Sequence, residues 1–200
     1  MLELLTGALR LDPTAFASLT THPNALRIAL WVVFLAGLSS AAGQSVVLFA
    51  ARVSPRRFVA SLLLSAGLFV GVFLFWTASI WLIARYGYGA DEPFATGLRT
   101  VGLAYAPQLF GFFVLVPYFG SGIGVGLSIW NLLAIVIATE VAFGIDLMPA
   151  LVSSAAGWVL LQLAQRTIGW PLTRLARWVR TRVAGARLDD IDDLLRRNNR

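Results

Sequence analysis

The sequence contains no cysteine and no lysine, a single histidine, and only 13% charged residues among its 200 positions. The absence of cysteine excludes disulfide bonds, thiol catalysis and cysteine-ligated metal sites. A lone histidine, His22, excludes a histidine cluster, and the chain has neither a lysine-containing phosphate loop nor the spacing of a metal site. We therefore expect no catalytic residue, no metal and no cofactor, and we predict that the protein is not an enzyme.

Apolar residues are abundant instead, at 58% of the chain with a mean hydropathy of +0.77. Soluble domains are about 45–50% apolar and about 25% charged, so this composition is typical of a membrane protein. The net charge of +6 comes from arginines in short loops and in the C-terminal tail, where membrane topology already accounts for them. We therefore expect a lipid bilayer as partner and no nucleic acid.

Five apolar stretches approach the length of about 20 residues that a membrane-spanning helix needs. They cover residues 25–50, 58–84, 101–118, 123–143 and 150–165. The sequence predicts an all-α integral membrane protein, a bundle of about five transmembrane helices with short interfacial helices at both ends. Four spans and a re-entrant piece near residues 107–126 are the alternative.

The composition divides the chain into three parts. Residues 1–23 form an N-terminal interfacial segment, in which Asp12 before Pro13 predicts the start of a short helix. Residues 24–168 form the five-helix transmembrane domain. Residues 169–200 form a basic amphipathic helix and an acidic–basic cytoplasmic tail. The arginines of this helix are expected to bind lipid headgroups: Arg174, Arg177 and Arg180.

Arginine distribution predicts the orientation. An odd number of spans places the two ends of the chain on opposite sides of the membrane. The loop 51–57 and the tail share one side and hold most of the arginines. Because positive charge concentrates in the cytoplasm, the C-terminus is predicted to be cytoplasmic and the N-terminus outside.

Two prolines, Pro107 and Pro117, interrupt the third span. A proline inside a helix frees the carbonyl four residues earlier, here those of Leu103 and Phe113, and neighbouring helices or water must satisfy it. The prolines predict helix kinks that shape the bundle, a broken helix that lines a polar cavity, or a re-entrant loop.

Glycines spaced by four residues occur in two spans. Small residues at this spacing let helix backbones approach closely. The predicted packing positions are Gly67, Gly71, Gly122 and Gly126. Similar pairs are Gly120 and Gly124 at the start of the fourth span and, in the first span, Gly37 with Ala41 and Ser39 with Gly43. They could serve contacts within one subunit or contacts with another chain.

Glu140 is the only carboxylate predicted within a span, and charge inside a membrane often has a function. It could instead be a structural group at the interface, because it lies about one turn from the end of its span. Asn131 lies nine positions earlier, on the opposite helix face. Gln44 and Gln108 complete the candidate intramembrane polar residues and are expected to make interhelical hydrogen bonds.

Three segments resemble the Yip1 domain family of small polytopic membrane proteins. They are LRTVGLAYAPQLFGFFVLVP, SIWNLLAIVIATEVAFGIDLMPAL and DPTAFASL. The resemblance covers about residues 10–168 and is carried by Arg99, Tyr105, Pro107, Pro117 and Trp130. It implies a bundle of about five helices without enzyme activity. The last segment resembles bacterial members, so the location that the resemblance implies is a bacterial inner membrane.

These observations lead to two functional hypotheses. The first is a non-enzymatic membrane protein that binds other membrane proteins or itself, as an accessory or assembly subunit or as a scaffold. The second is a small transporter or channel with a polar path near Glu140 and the proline-containing third span.

Overall fold

A computed structural model describes residues 2–44 and 55–164, and within these ranges all regular structure is helical, with no strand. The all-α prediction is confirmed. The elements are α1 Leu2–Leu9, α2 Pro13–Thr21, α3 Ala25–Gln44, α4 Pro55–Tyr88, α5 Phe94–Leu103, a 3₁₀ helix Ala106–Leu115, α6 Gly120–Phe143 and α7 Leu147–Ala164.

The chain forms two compact units, Met1–Val159 and Leu160–Arg200. The first unit contains the N-terminal helices together with the bundle. The second is described only over residues 160–164, the end of α7. The predicted amphipathic helix and tail, with Arg174, Arg177 and Arg180, therefore lie outside the described residues.

Within residues 2–44 and 55–164, four helices are long and apolar enough to cross a membrane: α3, α4, α6 and α7. A fifth span exists if α5 and the 3₁₀ helix, which are bent by 41° at a short break, count as one. The protein is thus a multi-pass membrane bundle. Helix α4 has 34 residues and is about 51 Å long, against about 30 Å of hydrocarbon, so it must tilt or project into water.

The third span differs from the prediction in where its helices begin and end. Helix α5 begins at Phe94, and the break falls at Ala104 and Tyr105. Pro107 lies in the first turn of the 3₁₀ helix, where its missing N–H costs little. Pro117 follows that helix and precedes α6, so the prediction that it kinks a helix is wrong.

Contacts between the third span and α6 run antiparallel. A methyl group at Gly97, near the start of α5, would meet the ring of Phe143 at the end of α6. Farther along, Phe110 of the 3₁₀ helix stacks on Trp130, with ring centroids 6.5 Å apart. The chain therefore continues in one direction from α5 through the 3₁₀ helix.

Contacts between the third span and α3 run parallel. Gly102 of α5 lies against Ala29, and Gly111 of the 3₁₀ helix lies against Ser40. Residue numbers rise together on both elements. This register and the modest bend favour one broken span over a re-entrant segment, which would turn back toward the start of α5.

Asp12 caps α2 as predicted. Its carboxylate accepts hydrogen bonds from the amide of Thr14 at 2.9 Å and from the Thr14 hydroxyl at 2.7 Å. Pro13 occupies the first turn. The local sequence thus determines this helix start, because the cap satisfies a free amide and the proline presets the backbone angle.

The N-terminal helices pack against the bundle. Phe16 of α2 is fully buried. The Arg99 guanidinium of α5 donates a 3.0 Å hydrogen bond to the Thr20 carbonyl in the last turn of α2, where a cation is favourable. The indole N–H of Trp130 donates to the Leu9 carbonyl at the end of α1, at 3.1 Å. Side chains of the spans therefore satisfy both helix ends.

Candidate functional site

The most unusual backbone feature is the crossing of α3 and the 3₁₀ helix. The Ser39 hydroxyl donates to the Leu109 carbonyl at 2.7 Å and accepts from the Phe112 amide at 3.0 Å. Those two backbone groups are three residues apart, the pair that a 3₁₀ helix ordinarily joins directly. The serine hydroxyl is therefore inserted into the backbone ladder of the broken span.

Small residues make this insertion possible. A methyl group at Gly111 would stand 2.7 Å from the Ser40 hydroxyl oxygen, and one at Gly43 would stand 2.5 Å from the Gly111 carbonyl oxygen. Both distances are far inside van der Waals contact. Gly43 and Gly111 are thus positions where only glycine lets the two backbones approach.

Of the small residues singled out from the sequence, Ser39 and Gly43 lie at this crossing, whereas four predicted packing glycines are not at such contacts. A methyl group at any of them would have no described atom within 4 Å, for Gly67, Gly71, Gly122 and Gly126 alike. No described residue packs against these four glycines, so their contact with this subunit or with another chain stays a prediction. Glycine spacing indicates that a helix face is smooth. It does not indicate which neighbouring helix packs against that face.

Tyr105 lies at the break itself and is buried. Its ring meets three aromatic rings of α4 edge-on, with centroid distances of 5.5 Å to Phe69, 5.4 Å to Phe73 and 6.4 Å to Trp76. Aromatic pairs favour this geometry. On its α4 side the break is therefore closed by aromatic side chains.

A cluster of buried hydroxyl groups connects α4, α6 and α7. The indole of Trp76 donates to the Ser154 carbonyl at 3.1 Å, and the Ser154 hydroxyl lies 3.3 Å from that of Thr139. Thr77 and Ser153 are fully buried, and within the described ranges their hydroxyls have no hydrogen-bond partner. The sequence shows Ser153 and Ser154 only as polar residues in an apolar stretch, because it does not reveal which hydroxyls of other helices they meet.

Glu140 is half-buried in the last turn of α6, and its carboxylate has no hydrogen bond or ion pair with a described residue. Its carbonyl accepts from the Gly144 amide, in a C-cap where Gly144 adopts a left-handed backbone with φ of 60°. This position near the helix end lets the carboxylate reach the interface. Its role in ion or proton handling stays a prediction.

Asn131 is 5% exposed, and among the described residues its side-chain oxygen has no partner. It faces the core from the middle of α6, on the side opposite Glu140, so the two do not form one site on this helix. Gln108 is half-buried in the 3₁₀ helix, and Gln44 ends α3 with a side chain outside the described part. No hydrogen bond joins the side chains of Gln108, Asn131 and Glu140 in the described structure.

Among the described residues, no group of three or more acidic or histidine side chains could hold a metal ion. Comparison of the chain with protein families, with curated proteins and with solved structures finds no match. The resemblance to the Yip1 domain family and the expectation of no enzyme activity therefore both stay predictions.

Proposed function

We propose that this protein is a non-enzymatic, multi-pass membrane protein that acts by binding other membrane proteins. It would serve as an accessory or assembly subunit of a complex, or as a scaffold of its own copies. The supporting observation is a smooth face on the first half of α4 that no described residue covers.

Two glycines form the centre of this face. Gly67 and Gly71 are exposed and have open space before them in the described structure. The flanking leucines Leu63, Leu64 and Leu68 are 50%, 67% and 64% exposed. In lipid, helices associate through close van der Waals packing, which a pair of small residues four apart favours. Such a face can receive a helix of another subunit.

Replacement of both glycines by isoleucine tests the proposal. The protein would be extracted from its own membrane in mild detergent, and the intact assembly weighed by native mass spectrometry. We expect the parent protein to carry stoichiometric foreign subunits or a second copy, and the G67I/G71I variant to lose them. A parent protein that is a lone monomer would contradict the proposal.

The matched control is G122I/G126I. Those glycines have the same spacing and the same open surroundings, but they lie on α6. The control variant should retain the partner. Equal loss in both variants would show that added bulk, rather than the α4 face, disrupts the assembly.

A small transporter or channel is the second candidate. It is favoured by the break in the third span together with the buried oxygen of Asn131, which has no hydrogen-bond partner among the described residues. Discontinuous helices often surround substrate sites in transporters. Purified protein in liposomes should then show pH- or ion-dependent flux that E140Q abolishes. Absence of flux, or flux that E140Q leaves unchanged, would reject this candidate.

The proposed location is a bacterial inner membrane, with the N-terminus outside and the C-terminus cytoplasmic. The alternation of the helices supports this arrangement of loops on the two sides of the membrane. If α5 and the 3₁₀ helix form one span, the α4–α5 and α6–α7 connections, which carry Asp91, Glu92 and Asp146, lie at one end of the bundle. Arg56 lies in the first turn of α4, at the other end. Positive charge favours the cytoplasmic end.

A further inference from the structure

A groove of about 680 Å³ lies on the outer face of α3, a volume typical of small-molecule sites. Most of its lining comes from the first half of α3, and α4 contributes Val70. The residues that matter here are Asn24, Arg27, Leu30, Trp31, Phe34 and Val70. This groove takes no part in the α4 face or in the broken span.

The groove changes character along its length. Asn24 and Arg27 stand at the start of α3, where this spanning helix enters the membrane. Leu30 and Phe34 follow on the same side, one and two turns deeper, so Phe34 lies about 10 Å farther along the helix axis than Arg27. One end is thus cationic and at headgroup level, while the rest is apolar and at the level of acyl chains.

Arg27 is exposed and free to bind an anion. It makes no ion pair or hydrogen bond with a described residue. Arg85 differs, because its guanidinium stands 5.8 Å from the centre of the Trp81 ring in a cation–π contact. Within the described part of the chain, Arg27 is the only charged side chain that lines the groove.

We propose that this groove binds one phospholipid with an anionic headgroup. The guanidinium of Arg27 binds the headgroup, since its planar set of donors matches phosphate oxygens. One acyl chain lies along Leu30, Phe34 and Val70, with its surface covered by apolar side chains. A free anion would use only the Arg27 end, whereas a phospholipid matches both ends of the groove.

The test measures lipid retention by the full-length protein. Detergent-purified protein would be mixed with equal amounts of phosphatidylglycerol and phosphatidylcholine, and bound lipid counted by native mass spectrometry. We expect the parent protein to prefer phosphatidylglycerol, and R27Q to weaken that preference about five-fold, the effect of one basic residue near an anionic surface. R85Q is the control, and it should keep the preference.

A second variant, L30W, fills the apolar part and leaves Arg27 in place. It should lower the retention of both lipids at this site. Leu30 is 36% exposed, so the larger ring can be accepted without repacking the core. Parent protein without preference, or equal effects of R27Q and R85Q, would overturn the proposal. If L30W retains as much lipid as the parent protein, no acyl chain occupies the groove.

Discussion

The hydroxyl group of Ser39 on α3 donates a 2.7 Å hydrogen bond to the carbonyl of Leu109 in the 3₁₀ helix. The same hydroxyl accepts from the Phe112 amide. In lipid no water replaces such a partner, so a neighbouring helix must satisfy the backbone groups that an irregular segment leaves free. The shape of the third span thus depends on a side chain 70 residues earlier in the chain.

Replacement of this serine tests that dependence. S39A should lower the free energy of unfolding by about 1 kcal/mol, a typical value for an interhelical hydrogen bond in a membrane. Reversible unfolding in mixed detergent micelles measures the change. S65A is the control, because Ser65 is exposed on α4 and makes no hydrogen bond with a described residue. Equal effects of the two variants would contradict a special role for Ser39.

Alanine substitution distinguishes glycines at a close helix contact from glycines that have no described atom within 4 Å. G43A and G111A should each destabilise the bundle by about 1–3 kcal/mol, the usual cost of overpacking, because the added methyl group meets backbone or Ser40. G67A and G71A should leave the unfolding free energy of the isolated protein almost unchanged. The same micelle assay applies. Destabilisation by G67A comparable to that by G111A would disprove this assignment.

The cap of α2 predicts a dependence on pH. The hydroxyl of Thr14, and then its amide, donate to Asp12 and hold the pKa of that carboxyl below its ordinary value. A lowered carboxyl pKa means that the stabilisation is complete above the ordinary aspartate pKa of about 3.9 and is lost as the pH falls through the lowered pKa. Helix α2 should therefore loosen only under acidic conditions.

Titration of the Asp12 carboxyl by NMR measures this effect directly. T14A should raise the pKa of Asp12 toward the ordinary value, because the stronger of the two donors is removed. T20A is the control, since the hydroxyl of Thr20 bonds to the Ala17 carbonyl. An unchanged pKa in T14A would show that the hydroxyl does not act on Asp12.

The absence of cysteine makes the topology directly testable, because any introduced cysteine is unique. D91C lies in the connection between α4 and α5, and Y118C lies between the 3₁₀ helix and α6. In intact cells, a membrane-impermeant maleimide should label D91C and not Y118C. Labelling of both would indicate a re-entrant third segment, and labelling of Y118C alone would indicate the opposite orientation.

Local patterns predicted much of the fold. The fourth span was expected at 123–143, and α6 is Gly120–Phe143. Asp12 and Pro13 correctly marked the start of α2. Each of these features depends on residues that are close together in the sequence, either a long apolar run or a cap beside its own helix. The role of Pro117 was misread, because local pattern does not distinguish a kink from the gap between two helices.

The contacts at the candidate site were not predictable in this way. Gly111 looks ordinary in the sequence and Ser39 was only one of several spaced small residues, whereas the conspicuous Gly67 and Gly71 have no described atom before them. The position of Glu140 near a helix end was predicted, since it depends only on the length of an apolar run. Only the fold shows that the Asn131 oxygen is buried without a partner among the described residues. Which small or polar residue matters depends on the helix that faces it.

By itself, the sequence determined that this chain is an all-helical, multi-pass membrane protein, because only long apolar helices satisfy every backbone group in lipid. The tertiary structure decided where the third span breaks and which serine hydrogen-bonds to its free backbone groups. It also decided which glycines contact a neighbouring helix. Those outcomes depend on the register of one helix against another. Every apolar helix offers several similar faces, and only close packing against particular neighbours selects among them.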